Sequence, residues 1–217
     1  MNEIIAKTMK NLERNNMKAY YAENKGEVCD IVKKLIFDGA VITAGGSMSL
    51  KESGVWDIIE SPEYKFFDRT KPGITEEERL EAFKAAIGCD FFFCSSNAVT
   101  ENGELVNVDG TANRISSICF GPKNVVMVVG ANKIVKDINE GLLRIKRIAA
   151  PKNTERLKID APCRKLGHCV SLLKSDCPEM TDGCAGQTRI CCDYLVSAMQ
   201  RQKDRIKVII CGENLGY

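Results

Sequence analysis

Apolar residues recur along the chain with two spacings, one typical of helices and one typical of buried strands. Ile5, Met9 and Leu12 fall on one helical face and predict an N-terminal helix. The segments predicted to be strands are short, rich in β-branched or aromatic residues, and followed by glycine or polar residues. They cover residues 40–44, 65–67, 90–94, 125–129 and 206–211.

The alternation of these strands with helical segments predicts an α/β fold with a mostly parallel sheet and helices on both faces. One helix is predicted to begin at a capping box of Thr75 and Glu78, and the Asn102-Gly103 pair predicts a β-hairpin. The composition changes after residue 150, because residues 161–192 hold six of the eleven cysteines. We therefore expect an α/β domain over residues 1–160. Residues 161–217 are expected to form a cysteine-rich segment, followed by a terminal helix over 194–202 and a strand that complete the same domain.

Composition and charge exclude several classes of protein. Hydrophobic residues make up 44% of the 217 residues, which is enough for a sizeable core. The net charge of +2 disfavours a dedicated nucleic-acid binder, which would carry a basic stripe. No segment is apolar enough to span a bilayer, and the N-terminus lacks the apolar core of a signal peptide. We therefore expect a cytoplasmic protein whose cysteines are thiols or metal ligands rather than disulfides.

Polar turns follow several predicted strands, and in a parallel sheet such turns can converge on one cleft. The turn over residues 45–49 offers backbone N–H groups and serine hydroxyls that could bind a phosphate or carboxylate, although it could also be a serine-capped tight turn. Arg114 could hold an anion bidentately or could simply pair with Asp109. Lys133 could neutralise a phosphate or a developing oxyanion, or be an ordinary solvated lysine.

The turn over residues 96–104 contains Glu101, which could act as a nucleophile, a base or a ligand-orienting group. The commoner fate of such a residue is a solvated hairpin carboxylate. We take Glu101 and Asp109 as the candidate catalytic carboxylates. The candidate ligand-binding residues are Gly45, Gly46, Ser47, Ser49, Asn97, Thr100, Gly103, Gly110, Asn113, Arg114, Asn132 and Lys133.

Three stretches of the sequence carry a resemblance to a known family. They are GGSMSLKESG (45–54), SSNAVTENGELVNVDGTANRISSICFGPKNVVMVVGANKIV (95–135) and RIKVIICGENLGY (205–217). In the order and spacing of these blocks the chain resembles the LUD family of lactate-utilisation proteins. The resemblance implies a fold like that of ribose-5-phosphate isomerase, glucosamine-6-phosphate deaminase and the CoA-transferases. It also implies a role in oxidising L-lactate to pyruvate together with iron–sulfur partner proteins.

The sequence leaves three functions open. The first is that component of lactate oxidation, which would bind a small anion: a carboxylate, a phosphate or a CoA ester. The second is an acyl-CoA or sugar-phosphate enzyme of transferase or isomerase type, because residues 100–103 are similar to the Ser-Glu-Asn-Gly element of CoA-transferases, whose glutamate attacks an acyl-CoA. This likeness implies a glutamyl thioester at Glu101. The third is a non-catalytic binding module. Whether the chain catalyses a reaction without partners, and whether it forms a homo-oligomer, also stays open.

The C-terminal cysteines are candidate metal ligands, since thiols at this density in a cytoplasmic protein suggest zinc or an iron–sulfur cluster. The alternatives are buried thiols or adventitious disulfides. Arg189-Ile190-Cys191 is similar to the Arg-Ile-Cys element that closes a set of four cysteines in the family. That likeness implies a ligand set of Cys163, Cys169, Cys184 and Cys191.

Overall fold

The computed structural model describes residues 1–217 and contains ten strands and nine α-helices. The strands are β1 (Lys18–Ala22), β2 (Val41–Ala44), β3 (Lys65–Phe67), β4 (Phe91–Cys94), β5 (Ala98–Thr100), β6 (Leu105–Asp109), β7 (Asn124–Gly130), β8 (Ile134–Val135), β9 (Asp193–Ser197) and β10 (Ile206–Cys211). The helices are α1 (Glu3–Arg14), α2 (Lys25–Leu35), α3 (Met48–Glu52), α4 (Val55–Ile59), α5 (Glu76–Gly88), α6 (Asn113–Cys119), α7 (Ile138–Arg144), α8 (Ala150–Arg156) and α9 (Pro162–Leu166). A π-helical turn over Ile145–Ala149 joins α7 to α8.

The centre of the fold is a six-stranded sheet in the order β1-β10-β7-β4-β2-β3, in which every pair of neighbours is parallel. Alternate residues of β7 point into different cores. Val126 and Val128 pack with α2, α3 and α4, whereas Val125 and Met127 pack on the opposite face with α1. The sheet is therefore buried on both sides, which explains why its strands are nearly continuous apolar runs. The predicted α/β class with a mostly parallel sheet is confirmed.

A second, four-stranded sheet in the order β8-β5-β6-β9 lies beside the first. Strands β5 and β6 form the predicted antiparallel hairpin, and Gly103 in its turn has a φ of +83°. Side chains of α1 and of the residue that follows it hold the turn: Asn11 donates to the carbonyl of Glu101 at 2.7 Å, and Asn15, the C-cap of α1, donates to that of Gly103 at 3.1 Å. The hairpin tip is thus fastened to the N-terminal helix.

The prediction of a helix over residues 194–202 is wrong. Asp193–Ser197 is strand β9, which pairs antiparallel with β6, so that Asn107 lies opposite Leu195. Hydrogen bonding to β6 outweighs the local spacing that suggested a helix, because strand propensity depends strongly on the available partner. Strand β10 lies inside the central sheet between β1 and β7. Residues 174–192 contain no helix or strand.

None of the helices combines the length and the apolar character that crossing a membrane requires. The capping box predicted at the start of α5 is confirmed, since Thr75 Oγ1 accepts from the N–H of Glu78 and the Glu78 carboxylate accepts from the N–H of Thr75.

Replacing Gly103 with alanine tests the packing of the hairpin on α1. A Cβ at Gly103 would lie 2.6 Å from the backbone of Asn11 and Leu12, whereas a Cβ at Gly73, which also has a positive φ of +76°, would meet nothing within 4 Å. Both substitutions incur the left-handed backbone cost of about 1–2 kcal/mol. We expect Gly103→Ala to lower the free energy of unfolding by about 1–3 kcal/mol more than Gly73→Ala, as measured by urea denaturation. Equal effects would contradict the close approach of the hairpin to α1.

Candidate functional site

A cavity of about 320 Å³ opens where strands of the two sheets end. Ser47 follows β2, Ser95 follows β4 and Lys133 follows β7, so the carboxyl edge of the parallel sheet forms its floor. This is the edge at which open α/β sheets bind their ligands. Four basic side chains and a single carboxylate line the cavity, which therefore favours a negatively charged occupant. They are Arg69, Arg114, Lys133, Arg156 and Asp109.

Arg114 is the structural centre of the cavity wall. Its Nε donates to Asp109 Oδ1 at 3.0 Å. Its two terminal nitrogens donate to the Asn97 and Asn107 side chains at 2.7 and 2.6 Å, and to the carbonyls of Ser95 and Val108 at 2.7 and 3.0 Å. A guanidinium has five N–H donors, and these five contacts use all of them. Arg114 therefore joins the end of β4 to the end of β6 and has no free donor for a bound anion.

Asp109 completes this framework. Its Oδ2 accepts from the backbone N–H groups of Arg114 and Ile115, at 2.8 and 2.7 Å. These groups lie in the first turn of α6, whose preceding residue, Ala112, has a φ of +51° and provides no side-chain cap. Of the two alternatives left open by the sequence, the structure thus contains the pairing of Asp109 with Arg114. Both carboxylate oxygens are occupied by these contacts.

Lys133 is the buried cation of the cavity, with only 3% of its surface exposed. Its Nζ donates to Ser49 Oγ at 2.8 Å and to Ser95 Oγ at 3.0 Å, so its partners are two hydroxyls and no carboxylate. Burial, followed by the nearby charges of Arg144 and Arg114, lowers the pKa of Lys133 to about 7. Near neutral pH its charge is therefore sensitive to whatever enters the cavity.

Arg69, Arg156 and Tyr217 also line the cavity, and the sequence analysis did not single them out. Arg156 is exposed, and its Nε donates to Tyr217 Oη at 2.7 Å. Burial lowers the pKa of Arg69, whose Nε donates to the carbonyl of Ala44 at 3.4 Å. Arg69 lies in the polar turn that follows β3, a position that the predicted strand over 65–67 already indicated, whereas Arg156 lies in α8 and follows no predicted strand. Tyr217 also had a signal, because it ends the third of the blocks quoted above.

The structure brings most of the candidate ligand-binding residues together. Those that line the cavity are Gly46, Ser47, Asn97, Gly110, Asn113, Arg114 and Lys133, along with the candidate carboxylate Asp109. Three others lie behind the lining: Ser49 accepts from Lys133, Gly45 lies against the Arg114 side chain, and Asn132 accepts from the N–H of Leu215.

Three candidates lie away from the cavity, in the β5–β6 hairpin. They are Thr100, Glu101 and Gly103. The carboxylate of Glu101 forms a salt bridge with Lys7 at 2.8 Å on the surface of α1. The expectation that Glu101 meets Asp109 and Lys133 in one cleft is therefore not met, because the hairpin turns back onto the N-terminal helix.

A second, much smaller cavity of about 20 Å³, which we call the cysteine pocket, is lined by all four candidate metal ligands. They are Cys163, Cys169, Cys184 and Cys191. Burial, followed by the neighbouring Cys163 and Cys169, raises the pKa of Cys191 to about 12. All eleven cysteines are free thiols, and no group of three or more His, Cys, Asp or Glu side chains in the structure could hold a metal ion. Ala150, Ile190 and Cys191 line both cavities, so the two share a wall.

Comparison with known proteins identifies one family. The sequence model of the LUD domain matches residues 5–211. No curated protein matches the chain. Among solved structures, the chain is similar to a DUF162 family protein from Deinococcus radiodurans, with 15% identity, 97% of each chain covered and a TM-score of 0.48. It is also similar to eIF2B delta from Chaetomium thermophilum, with 16% identity, 52% of this chain and 49% of that chain covered, and a TM-score of 0.34.

Substituting Arg114 tests its role in the cavity wall. Arg114→Met leaves the largely buried carboxylate of Asp109 without its charged partner, so we expect the free energy of unfolding to fall by about 3–5 kcal/mol. Arg79→Met is the matched control, because Arg79 pairs with Glu76 on an exposed helix face, where such a pair contributes at most about 1 kcal/mol. Both values come from urea denaturation. If the two variants lost equal stability, Arg114 would not be the centre of the framework.

Proposed function

Because the chain belongs to the LUD domain family, we propose that it serves lactate utilisation by binding a small carboxylate or phosphate in the 320 Å³ cavity. The family supports the pathway, and the charge of the cavity supports the class of ligand. The volume lies at the lower end of the range for small-molecule sites, which is about 300–1,000 Å³. A compact anion such as a hydroxy acid or an oxo acid suits this space.

The observation that carries the proposal is the buried amine of Lys133. A charged ammonium removed from water is costly unless a negative charge is paired with it. Ser49 and Ser95 satisfy two of its donors, and neither brings a charge. A bound carboxylate or phosphate would supply the missing charge and would accept the remaining N–H.

The other cationic side chains would act around this central contact. Arg156 and Tyr217 lie together on the cavity wall, where a guanidinium and a hydroxyl can donate to the far end of an anion. Arg114 would contribute its positive charge at short range and hold the wall in position, with its N–H groups directed to protein acceptors. In this scheme Lys133 and Arg156 contact the ligand, and Arg114 and Asp109 are positioning residues.

The proposal includes a division of labour with other proteins. Oxidation of a hydroxy acid to an oxo acid releases two electrons and two protons, which an acceptor must take up. The resemblance to the LUD family implies iron–sulfur partner proteins, which would receive the electrons. This chain would supply the binding site for the substrate or product.

Removal of the buried amine tests the proposal directly. Calorimetric titration of the wild-type chain with L-lactate, pyruvate and orthophosphate at pH 6.5 should reveal saturable binding of at least one of them. Lys133→Met should weaken that binding at least tenfold, because it removes the paired charge. Lys84→Met is the matched control, since Lys84 is exposed on α5, and it should bind as the wild type does. Absence of binding by the wild type, or equal binding by Lys133→Met, would refute the proposed role of the cavity.

The pH dependence of binding follows from the lowered pKa of Lys133. Below about pH 7 the free protein already carries the charged amine, and above this value an anion must bind together with a proton. The affinity for a carboxylate should therefore decrease as the pH rises from 7 to 9, by up to about tenfold per pH unit. The residual binding of Lys133→Met should lack this slope. A flat profile in the wild type would mean that Lys133 does not contact the ligand.

A further inference from the structure

The hydrogen bonds around the amine of Lys133 fix the direction of two of its hydrogens. Ser49 Oγ, one acceptor of the amine, donates its own hydrogen to the carbonyl of Leu215 at 3.2 Å. Ser95 Oγ, the other acceptor, donates its hydrogen to the carbonyl of Ser96 at 3.4 Å. Because a hydroxyl has a single hydrogen, both serine oxygens can only accept from the amine. The amine therefore donates to both serines, whether it is charged or neutral.

The third position on Nζ of Lys133 has no hydrogen-bond partner in the protein. In the charged ammonium this position carries a hydrogen, and in the neutral amine it carries the lone pair. Lys133 ends the short 3₁₀ turn after β7 and lines the 320 Å³ cavity, as Ser95 does. The arrangement thus leaves the reactive position of the neutral amine for a molecule bound in the cavity.

The charged and titratable groups around Lys133 favour a neutral amine. Arg144 of α7 and Arg114 of α6 are the nearby cations, and Glu52 of α3 and Cys94 of β4 are the nearby acidic groups. Burial and the two arginines outweigh the acidic groups, so the pKa of Lys133 falls to about 7. Near neutral pH a large fraction of the protein therefore carries the unprotonated amine, which is the form that attacks carbonyl carbons.

These two properties of the cavity select one class of small molecule. The basic lining favours a carboxylate, and a free amine lone pair favours a carbonyl carbon. A 2-oxo acid carries both groups on adjacent carbons. When its carboxylate is held among the cationic side chains, with Arg156 and Tyr217 on the cavity wall, its carbonyl can lie at the amine. A 2-hydroxy acid has the same carboxylate but no electrophilic carbon.

We propose that Lys133 forms a reversible covalent imine with the carbonyl carbon of a 2-oxo acid bound in this cavity. The inference rests on the proposed function, because the cavity must first bind the anion. The lone pair of Nζ forms the new C–N bond, and the carbonyl π electrons move to oxygen. The two hydrogens of the amine then leave with that oxygen as water, so a C=N bond replaces the C=O bond. Nothing is oxidised or reduced, and water reverses the reaction.

The serine hydroxyls suit this exchange of protons. Ser95 lies 3.0 Å from Nζ and also lines the cavity, so its hydroxyl can pass a hydrogen from the nitrogen to the departing oxygen. The imine would hold the oxo acid covalently, whereas the hydroxy acid would bind by charge alone. The site would therefore distinguish the oxidised from the reduced member of such a pair of acids.

Reductive trapping tests the proposal. The full chain is incubated with pyruvate and cyanoborohydride, which reduces an imine to a stable secondary amine, and the modified residue is located by peptide mass spectrometry. We expect the adduct on Lys133 with pyruvate and no adduct with L-lactate. Lys133→Arg keeps the positive charge but cannot form an imine, so it should lose the adduct. Lys84→Met, which removes an exposed lysine of α5, is the matched control and should be trapped as the wild type is.

Failure of this inference can be distinguished from failure of the proposed function. If calorimetry shows that the wild type binds L-lactate, pyruvate or orthophosphate, and pyruvate leaves no adduct on Lys133, the imine is refuted and the anion site stands. An equal yield of adduct in Lys133→Arg would also refute the imine, because the trapped amine would lie elsewhere. If the wild type binds none of the three anions, both proposals fall. Peptide mapping of the wild type does not depend on the folding of any variant.

Discussion

The guanidinium of Arg114 is the interaction on which the larger cavity depends. The two sheets are hydrogen-bonded separately, and the end of β4 has to be held next to the end of β6 for a cleft to exist between them. Arg114 does this with five hydrogen bonds. The carboxylate of Asp109 balances the positive charge of Arg114 and also caps the first turn of α6. Because every polar atom of this pair is satisfied, the wall can be rigid and largely buried at the same time. An arginine with free N–H donors would bind anions more readily, but it would not hold the ends of β4 and β6 together.

Lys133, unlike Arg114, has no negatively charged partner in the structure. Its amine is buried among hydroxyls and lacks a carboxylate, which is unfavourable for the empty protein while the amine is charged. Because burial lowers the folded-state pKa to about 7, below that of the unfolded chain, the amine destabilises the fold at low pH and does so less as the pH rises towards the unfolded value. The hydrogen bonds around Arg114 therefore have to keep the cavity folded despite the destabilising charge of Lys133.

Local sequence patterns predicted the central sheet well because its strands are buried on both faces. Val125–Val129 and Phe91–Cys94 are short, continuous apolar runs, which is the pattern expected of a strand buried on both faces. Strand β1 gave no such signal, because Lys18–Ala22 lies at the edge of the sheet and is only partly buried. Strand β9 was mistaken for a helix because its identity depends on pairing with β6, a partner some ninety residues earlier that no local window contains.

The candidate site was predictable where the parallel sheet itself places the residues. Turns after β2, β4 and β7 meet at one edge by topology, which is why Ser47, Asn97 and Lys133 were correctly expected to converge. Glu101 was misplaced because the sequence of a hairpin does not specify the direction in which it projects. Here Asn11 of α1 and Asn15 at its C-terminal cap hold the hairpin tip. Arg69 follows the predicted strand β3 and was overlooked because a single arginine in a polar turn is usually solvated, whereas Arg156, in α8, had no sequence signal.

Because the two cavities share a wall, a change in the shape of one alters the shape of the other. Cys191 faces both spaces, and the N–H of the next residue, Cys192, donates to the carbonyl of Asp109 at 2.9 Å. A displacement of Cys191 would be transmitted through Cys192 to the backbone of Asp109, whose side chain positions Arg114. The C-terminal loop and the larger cavity are thus conformationally coupled through the backbone of residues 191–192.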